Sequence, residues 1–335
     1  MPPEKKFLAC DIGGSKTNLS LVTRAGGPLA PIAEATLKSA DFTDATELIL
    51  KFLADTSALP EQACIGVAGP VIDNRSTTTN LPWFIDGDAL SQVTGIRKIR
   101  LINDLEATAA AITLIDQKDL YTLNEGHGLP TGNIAVISPG TGLGESFLIW
   151  DKGSGSYLPH SSEGGHTDFA PCNSIEDQML GYLRNRIGHV SYELVCSGLG
   201  LSNIYFFLKD SGLHEEPPWL SDLLISAEDP SMVIINTALD RDRECPICSE
   251  TVKMFVSILG AEAGNLAIKV MARGGVYIGG GIPSRITSIL DSSAFLKSFL
   301  NKGRMSRLLT DIPVNVILDQ KAPLKGAAKM VLAGL

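Results

Sequence analysis

The sequence predicts an α/β protein of two domains, and three observations carry that prediction. The chain has 335 residues, longer than one ordinary hydrophobic core usually supports. Hydrophobic residues make up 44% of it and charged residues 19%, the balance of a packed globular protein rather than a disordered one. Short apolar runs joined to glycine turns recur near residues 10, 140 and 279, so one architecture is repeated in two halves without repeating its sequence.

The elements follow in order. Phe7 to Ile12 and Leu19 to Val22 flank Gly13-Gly14 and read as a hairpin. Glu47 to Leu53 has helical spacing, and Ala63 to Ala68 is a buried strand that stops at Gly69-Pro70. Ile99 to Ile102 is a strand, and an alanine-rich helix runs from about Leu105 to Ile115. Asn103 and Asp104 therefore fall in a strand-to-helix turn. In the second half, Ile134 to Ile137 and Ser146 to Trp150 are strands about the turn Pro139-Gly-Thr-Gly-Leu-Gly144. Helices are expected over Ser174 to Arg186, Ser197 to Leu208 and about Glu250 to Ala272. Val276 to Ile278 returns to strand, Gly279 to Gly281 turns, and Pro283 to Leu290 reads as a helix with proline near its start. Val314 to Leu318 is a late strand and Pro323 to Leu332 a closing helix.

Composition removes several functions. The net charge of −9 comes without a basic stripe, which argues against binding to nucleic acid, where basic groups must neutralise phosphates. No stretch reaches about 18 uninterrupted apolar residues, and the N-terminus lacks the apolar core of a signal peptide. The expectation is a cytoplasmic protein with no membrane partner. Cys10 and Cys64, inside apolar runs, read as reduced core thiols. Cys245-Pro-Ile-Cys248 is a CxxC, but no second CxxC or nearby histidine completes a tetrahedral zinc set, so a structural role is preferred.

The chemistry-bearing residues gather at the glycine turns. Asp11 ends a buried strand and is followed by Gly13, Gly14, Ser15 and Lys16. A carboxylate there suits Mg²⁺ held through water, and the turn suits phosphate oxygens, although a plain hairpin turn would look the same. Gly140, Thr141 and Gly142 form a second turn of phosphate type, and the two turns together are harder to dismiss than either alone. Neither matches a Walker A or a GxGxxG pattern. Asp104 stands where a carboxylate can accept a proton from an alcohol, while either Asn103 or Asp104 can equally cap the following helix. Glu163, His166 and Glu193, with Gly164 and Gly165 between the first two, can bracket the hydroxyls of a sugar ring.

Assembled, these residues resemble the bacterial glucokinase family, within the actin-like sugar kinase superfamily. The resemblance runs through most of the chain: Asp11-Ile-Gly-Gly-Ser15, Asn80-Leu-Pro-Trp83, Leu101-Ile-Asn-Asp-Leu-Glu-Ala107, Gly140-Thr-Gly-Leu-Gly144, Glu163-Gly-Gly-His-Thr-Asp-Phe-Ala-Pro171, Gly188-His-Val-Ser-Tyr-Glu193 and Gly274-Gly-Val-Tyr-Ile-Gly-Gly-Gly-Ile-Pro283. It implies a two-lobed actin-like (ribonuclease H-like) ATPase fold with a cleft between lobes. The small domain would be 1–108 completed by 316–335, and the large one 109–315. It also implies phosphorylation of glucose to glucose 6-phosphate by ATP with Mg²⁺, in a homodimer. Asp104 would be the general base, and Asn103, Asp104, Glu163, His166 and Glu193 would hold the sugar. Asp11, the 13–16 turn and the 140–142 turn would handle Mg²⁺ and phosphates, with Gly279, Gly280 and Gly281 bordering the adenosine. Another hexose, an N-acetylhexosamine, or a sugar-sensing regulator without catalysis are the competing expectations.

Two departures matter. The family usually reads Asp-x-Gly-Gly-Thr-Asn-x-Arg at its first phosphate motif, where this chain has Asn18 in the arginine position. The cysteine-rich zinc signature of the related ROK kinases is absent, Cys172 standing alone there; no structural zinc is expected.

Overall fold

The computed structural model describes residues 4–78, 81–291 and 293–334, so Asn80 of the second motif lies outside the described residues. The chain divides into two compact units: Met1–Gln117 with Asp151–Ser161 and Asp319–Leu335, and Lys118–Trp150 with Ser162–Leu318. The expected boundaries fell after 108 and 315. The units change hands after 117 and 318, and the segment 151–161 goes with the first.

In the first unit the strands are β1 (Lys6–Ile12), β2 (Lys16–Thr23), β3 (Ala33–Lys38), β4 (Gln62–Val67), β5 (Arg75–Thr77), β6 (Phe84–Asp86) and β7 (Lys98–Asn103). Five of them form a sheet in the order β3-β2-β1-β4-β7, with β5 and β6 a separate ribbon. The β1–β2 hairpin is antiparallel, while β1–β4 and β4–β7 run parallel. Both faces of β1 are covered, and its side chains divide by the period of two that a strand imposes. Leu8, Cys10 and Ile12 pack with Leu48, Ile49 and Phe52 of the helix Ala45–Thr56. Phe7 and Ala9 pack with Leu324, Ala327, Ala328 and Val331 of the helix Ala322–Ala333. Cys10 and Cys64 are buried free thiols. Burial pushes both up, Cys64 to about 12.

The second unit carries β8 (Leu120–Asn124), β9 (Ile134–Pro139) and β10 (Leu143–Asp151); β11 (Ser156–Ser162) follows, then β12 (Gly275–Ile278) and β13 (Val314–Ile317). Its strands run in the order β10-β9-β12-β13-β8. The first unit's kernel recurs: an antiparallel hairpin, β9–β10, beside the parallel pairs β9–β12 and β12–β13. The core helix Pro246–Lys269 is long and apolar enough to cross a membrane by length and composition, yet 78% of its apolar window is buried inside the protein. It is a packing element. Cys245 and Cys248, buried at its start, carry no disulfide.

Two expectations are corrected. The likeness of the three glycine turns is limited: those near residues 10 and 140 join antiparallel strands, whereas at Gly279 to Gly281 a helix starts at Gly281. Pro283 lacks the N–H that a ladder needs and suits a first helical turn. The helix read over 283–290 is two short helices, Gly281–Arg285 and Thr287–Leu290, broken where Ile286 leaves helical geometry (φ −107°, ψ 25°).

Candidate active site

The first unit gathers its acids at the C-terminal ends of parallel strands. Asp11 on β1 and Ile102 on β7 both stand opposite Gly66 of β4. The acid of β1 and the Asn103-Asp104 turn are therefore about two strand spacings, ~10 Å, apart. Asn103 caps the helix Asp104–Ala111: its Oδ1 accepts the Leu105 N–H at 2.9 Å, and its Nδ2 donates to the Gly69 carbonyl at 3.0 Å. Asp104 Oδ1 accepts the same Leu105 N–H at 2.9 Å, so the two roles that the sequence left open overlap at this turn. Asn103 is the cap, and Asp104 brings a half-buried carboxyl at the first helical residue.

Asp11 Oδ2 accepts from Asn18 Nδ2 at 3.1 Å, and Asn18 Oδ1 accepts from Thr36 Oγ1 at 2.9 Å. Burial raises the Asp11 carboxyl; the Asn18 bond and the Lys16 charge act against that rise. This is the physical content of the departure at position 18: the short amide holds the Asp11 carboxylate. Sequence reasoning missed that role, since the pairing of Asp11 with Asn18 follows from the hairpin register. The turn itself is closed by Gly13 N–H donating to the Lys16 carbonyl at 3.0 Å and by Ser39 Oγ donating to the Gly13 carbonyl at 2.8 Å. Gly14 is half-buried, and Ser15 and Lys16 are exposed.

Among the described residues no cluster of three His, Cys, Asp or Glu side chains suits a metal. A lone carboxylate beside a glycine turn is nevertheless what Mg²⁺ needs, because that ion keeps several waters and leans on substrate phosphates.

In the second unit the turns at 140–142 and 279–281 lie side by side. Gly279 N–H donates to the Ile137 carbonyl at 2.8 Å. Gly280 has φ 91°, and a Cβ on it would run into the Pro139 carbonyl, so only glycine fits. Gly140 N–H donates to the Gly142 carbonyl, and Gly198 N–H to the Gly140 carbonyl, both at 2.8 Å. Thr141 is exposed at the tip.

The acid and imidazole groups converge beside this turn. His166 Nε2 lies 4.0 Å from Glu163 Oε2, and its Nδ1 lies 3.9 Å from Glu193 Oε1. Glu193 Oε2 accepts the Leu143 N–H at 3.0 Å. One carboxylate thus touches both the imidazole and the 140–144 turn. Two glycines let the 163–166 turn lie against β10: a Cβ on Gly164 would meet the Glu145 carboxyl, and one on Gly165 the Leu143 carbonyl. Backbone bonds complete the frame, with Glu193 N–H donating to Gly165 O at 2.8 Å and Tyr192 N–H to Thr167 O at 3.0 Å.

Within its own unit, each predicted residue is thus near its predicted neighbours: Asp11, the 13–16 turn, Asn103 and Asp104 in the first; the 140–142 turn, Glu163, His166, Glu193 and the 279–281 turn in the second.

The sequence profile of the glucokinase family matches residues 8–333. The chain belongs to the glucokinase family. It is 42% identical to a glucokinase of Nostoc punctiforme over 96% of this chain and 97% of that protein. A crystal structure of a glucokinase from an Antarctic psychrotroph superposes with a TM-score of 0.81 at 30% identity, covering 99% of this chain and 100% of that one. A Balamuthia mandrillaris glucokinase solved in complex with glucose shares the fold at 20% identity, with a TM-score of 0.78 over 99% of this chain and 94% of that one. The family's reaction is the ATP-dependent phosphorylation of glucose, and its actin-like fold is the one found here.

One prediction about this glucokinase arises directly. A Cβ on Gly142 would overlap Glu193 Oε2, so Gly142→Ala should push that carboxylate off the Leu143 amide. Losing a partly buried charge-assisted bond costs about 1–2 kcal/mol. A thermal midpoint several degrees lower, with weaker glucose binding by calorimetry, is expected; wild-type values for both would refute the contact.

Proposed function

We propose that the enzyme transfers the γ-phosphoryl group of ATP to the 6-hydroxyl of glucose with Asp104 as general base. The carrying observation is the Glu163–His166–Glu193 cluster, tied through the Leu143 amide to a glycine turn of phosphate type. Sugar ligands and phosphate ligands are thus built on one frame. In this reading Glu163, His166 and Glu193 hold ring hydroxyls, and Asn103 adds to them while capping its helix. The mechanism requires Asp104 to act on that same sugar, accepting the 6-hydroxyl proton as the new O–P bond forms. Amides of the 13–15 and 140–142 turns donate to phosphate oxygens, and preorganised donors need no rearrangement as charge develops. Gly279, Gly280 and Gly281 border the adenosine. Mg²⁺, held through water by Asp11 and by the phosphates, supplies charge neutralisation at the transferring group. A homodimer, which the family resemblance implies, in the cytoplasm, which the composition leads one to expect, completes the reading; gel filtration tests the dimer.

The deciding experiment is ADP release measured by a coupled assay, with and without glucose, then with mannose, fructose and 2-acetamido sugars. Glucose-dependent release, far above the other sugars, is the expected result. Preference for another hexose or a 2-acetamido sugar would reassign the substrate, and sugar-independent hydrolysis would overturn the reading. Absence of turnover despite glucose binding would indicate a sugar-sensing role.

A further inference from the structure

A buried acid pair lies directly beneath the sugar-holding turn. Glu145 on β10 is 2% exposed and Glu262 on the helix Pro246–Lys269 is 0% exposed. Glu145 faces the Glu262 charge, and two carboxyls buried together favour holding one proton between them, since two bare carboxylates repel and offer only acceptors. Glu262 is otherwise well held: Oε1 accepts from Lys269 Nζ at 3.1 Å and Oε2 from Asn265 Nδ2 at 2.8 Å. The Tyr192 hydroxyl accepts from Asn265 at 3.0 Å and faces the Glu262 charge; burial and that charge raise it. Glu145 differs. Its Oε1 has no hydrogen-bond partner, and its Oε2 lies where a Cβ of Gly164 would stand.

The network therefore reaches both sides of the sugar site. Through Glu145 it touches Gly164, between Glu163 and the rest of the turn. Through Tyr192 it touches the residue before Glu193, whose backbone bonds to Gly165 and Thr167 have been described. We propose that Glu145 and Glu262, sharing one proton, are positioning residues for glucose: the protonated pair holds the 163–166 turn in place, and its ionisation loosens that turn and weakens sugar binding. This rests on the reading that Glu163, His166 and Glu193 hold the sugar.

The charges around the pair fix the direction. Lys269 balances one carboxylate and no more; Asn265 beside it is neutral. Tyr192 and Cys196 face the pair from the 192–196 segment, and burial with these carboxyls raises both. Cys172 and Lys302 flank Glu262 from two further segments, and burial lowers Lys302. Burial first, then the Glu262 charge, push Glu145 up to about 8 against the pull of Lys269. Glu145 is thus neutral below that pH and ionises above it. A second charge on the pair would repel Glu262; Lys302, whose charge burial already disfavours, is the further cation facing Glu262, and the backbone lying against the Glu145 carboxyl is that of Gly164.

The test is the pH dependence of glucose binding by calorimetry, with KM and kcat at saturating ATP, from pH 6.5 to 9.5. In the wild type, Kd and KM for glucose should be flat at low pH and rise about fivefold or more by pH 9, with kcat changing little. In Glu145→Gln, which cannot ionise, the rise should vanish. Glu145→Leu, filling the space with an apolar group, is the second variant should the amide misfold, and is expected to be equally flat. A variant profile parallel to the wild type, or a wild-type profile already flat, would overturn the proposal. Glu163→Gln separates the underlying reading: unchanged glucose affinity there sinks the sugar site itself. Weakened affinity there, with a parallel Glu145→Gln profile, sinks only the acid pair.

Discussion

Asp104→Asn is expected to lower kcat by about 10²–10⁴-fold while glucose binding remains measurable. The asparagine keeps the volume and one acceptor but cannot take a proton at neutral pH. Helix capping would survive, because Asn103 still accepts from Leu105 N–H and the asparagine's own Oδ1 can take the bond that Asp104 makes to the same N–H. The contrast with Asn103 is informative. Asn103→Ala removes a cap worth about 1 kcal/mol together with the bond to Gly69, so it should cost stability as well as turnover. Single-turnover kinetics with circular dichroism on both variants separates the two effects. Near-normal turnover in Asp104→Asn would remove this residue from the base role.

Gly326→Val is expected to destabilise the first unit by about 3 kcal/mol or more, through overpacking. Gly326 lies in the helix Ala322–Ala333 where it crosses the helix that begins at Asp104. A Cβ there would overlap the Ala107 carbonyl and stand 2.7 Å from its carbon and 3.1 Å from Ala111 N. The smaller change decides the sign. In an open helix Gly→Ala gains about 1 kcal/mol, whereas inserting a methyl into this contact costs about 1–3 kcal/mol, so Gly326→Ala should also lose stability. Urea unfolding gives the midpoint, and kcat should fall too because the displaced helix starts with Asp104. A Gly326→Ala protein with a raised midpoint would show that the two helices separate without cost.

Much of this was legible in the sequence, and the exceptions share a cause. Phe7 to Ile12 announces a strand buried on both faces because every residue but Asp11 is apolar or small, and Asp11 then stands out as the acid at its end. Asn103-Asp104 was legible because an apolar strand stops and an alanine-rich helix starts. Glu145 was not. Read locally it belongs to a glycine turn, and the charge it faces is that of Glu262, a residue of a helix far along the chain. Asn18 was flagged only as a departure, since its bond to Asp11 needs the hairpin register. The third glycine turn resembles the other two until Pro283 commits the chain to a helix, and that helix was legible in kind, though it starts two residues before the one read.

The helix Ala322–Ala333 covers one face of the first sheet, and Lys329 donates to the Ala110 carbonyl across 219 positions of sequence. During synthesis, Phe7, Ala9, Val22 and Cys64 must wait for that cover while the whole of the second unit emerges from the ribosome. The inserted half therefore has the opportunity to fold first, and β1, made before it, is among the last strands to find its partners. Nascent chains halted before residue 322 should offer chaperones a bare apolar sheet, which the finished enzyme hides.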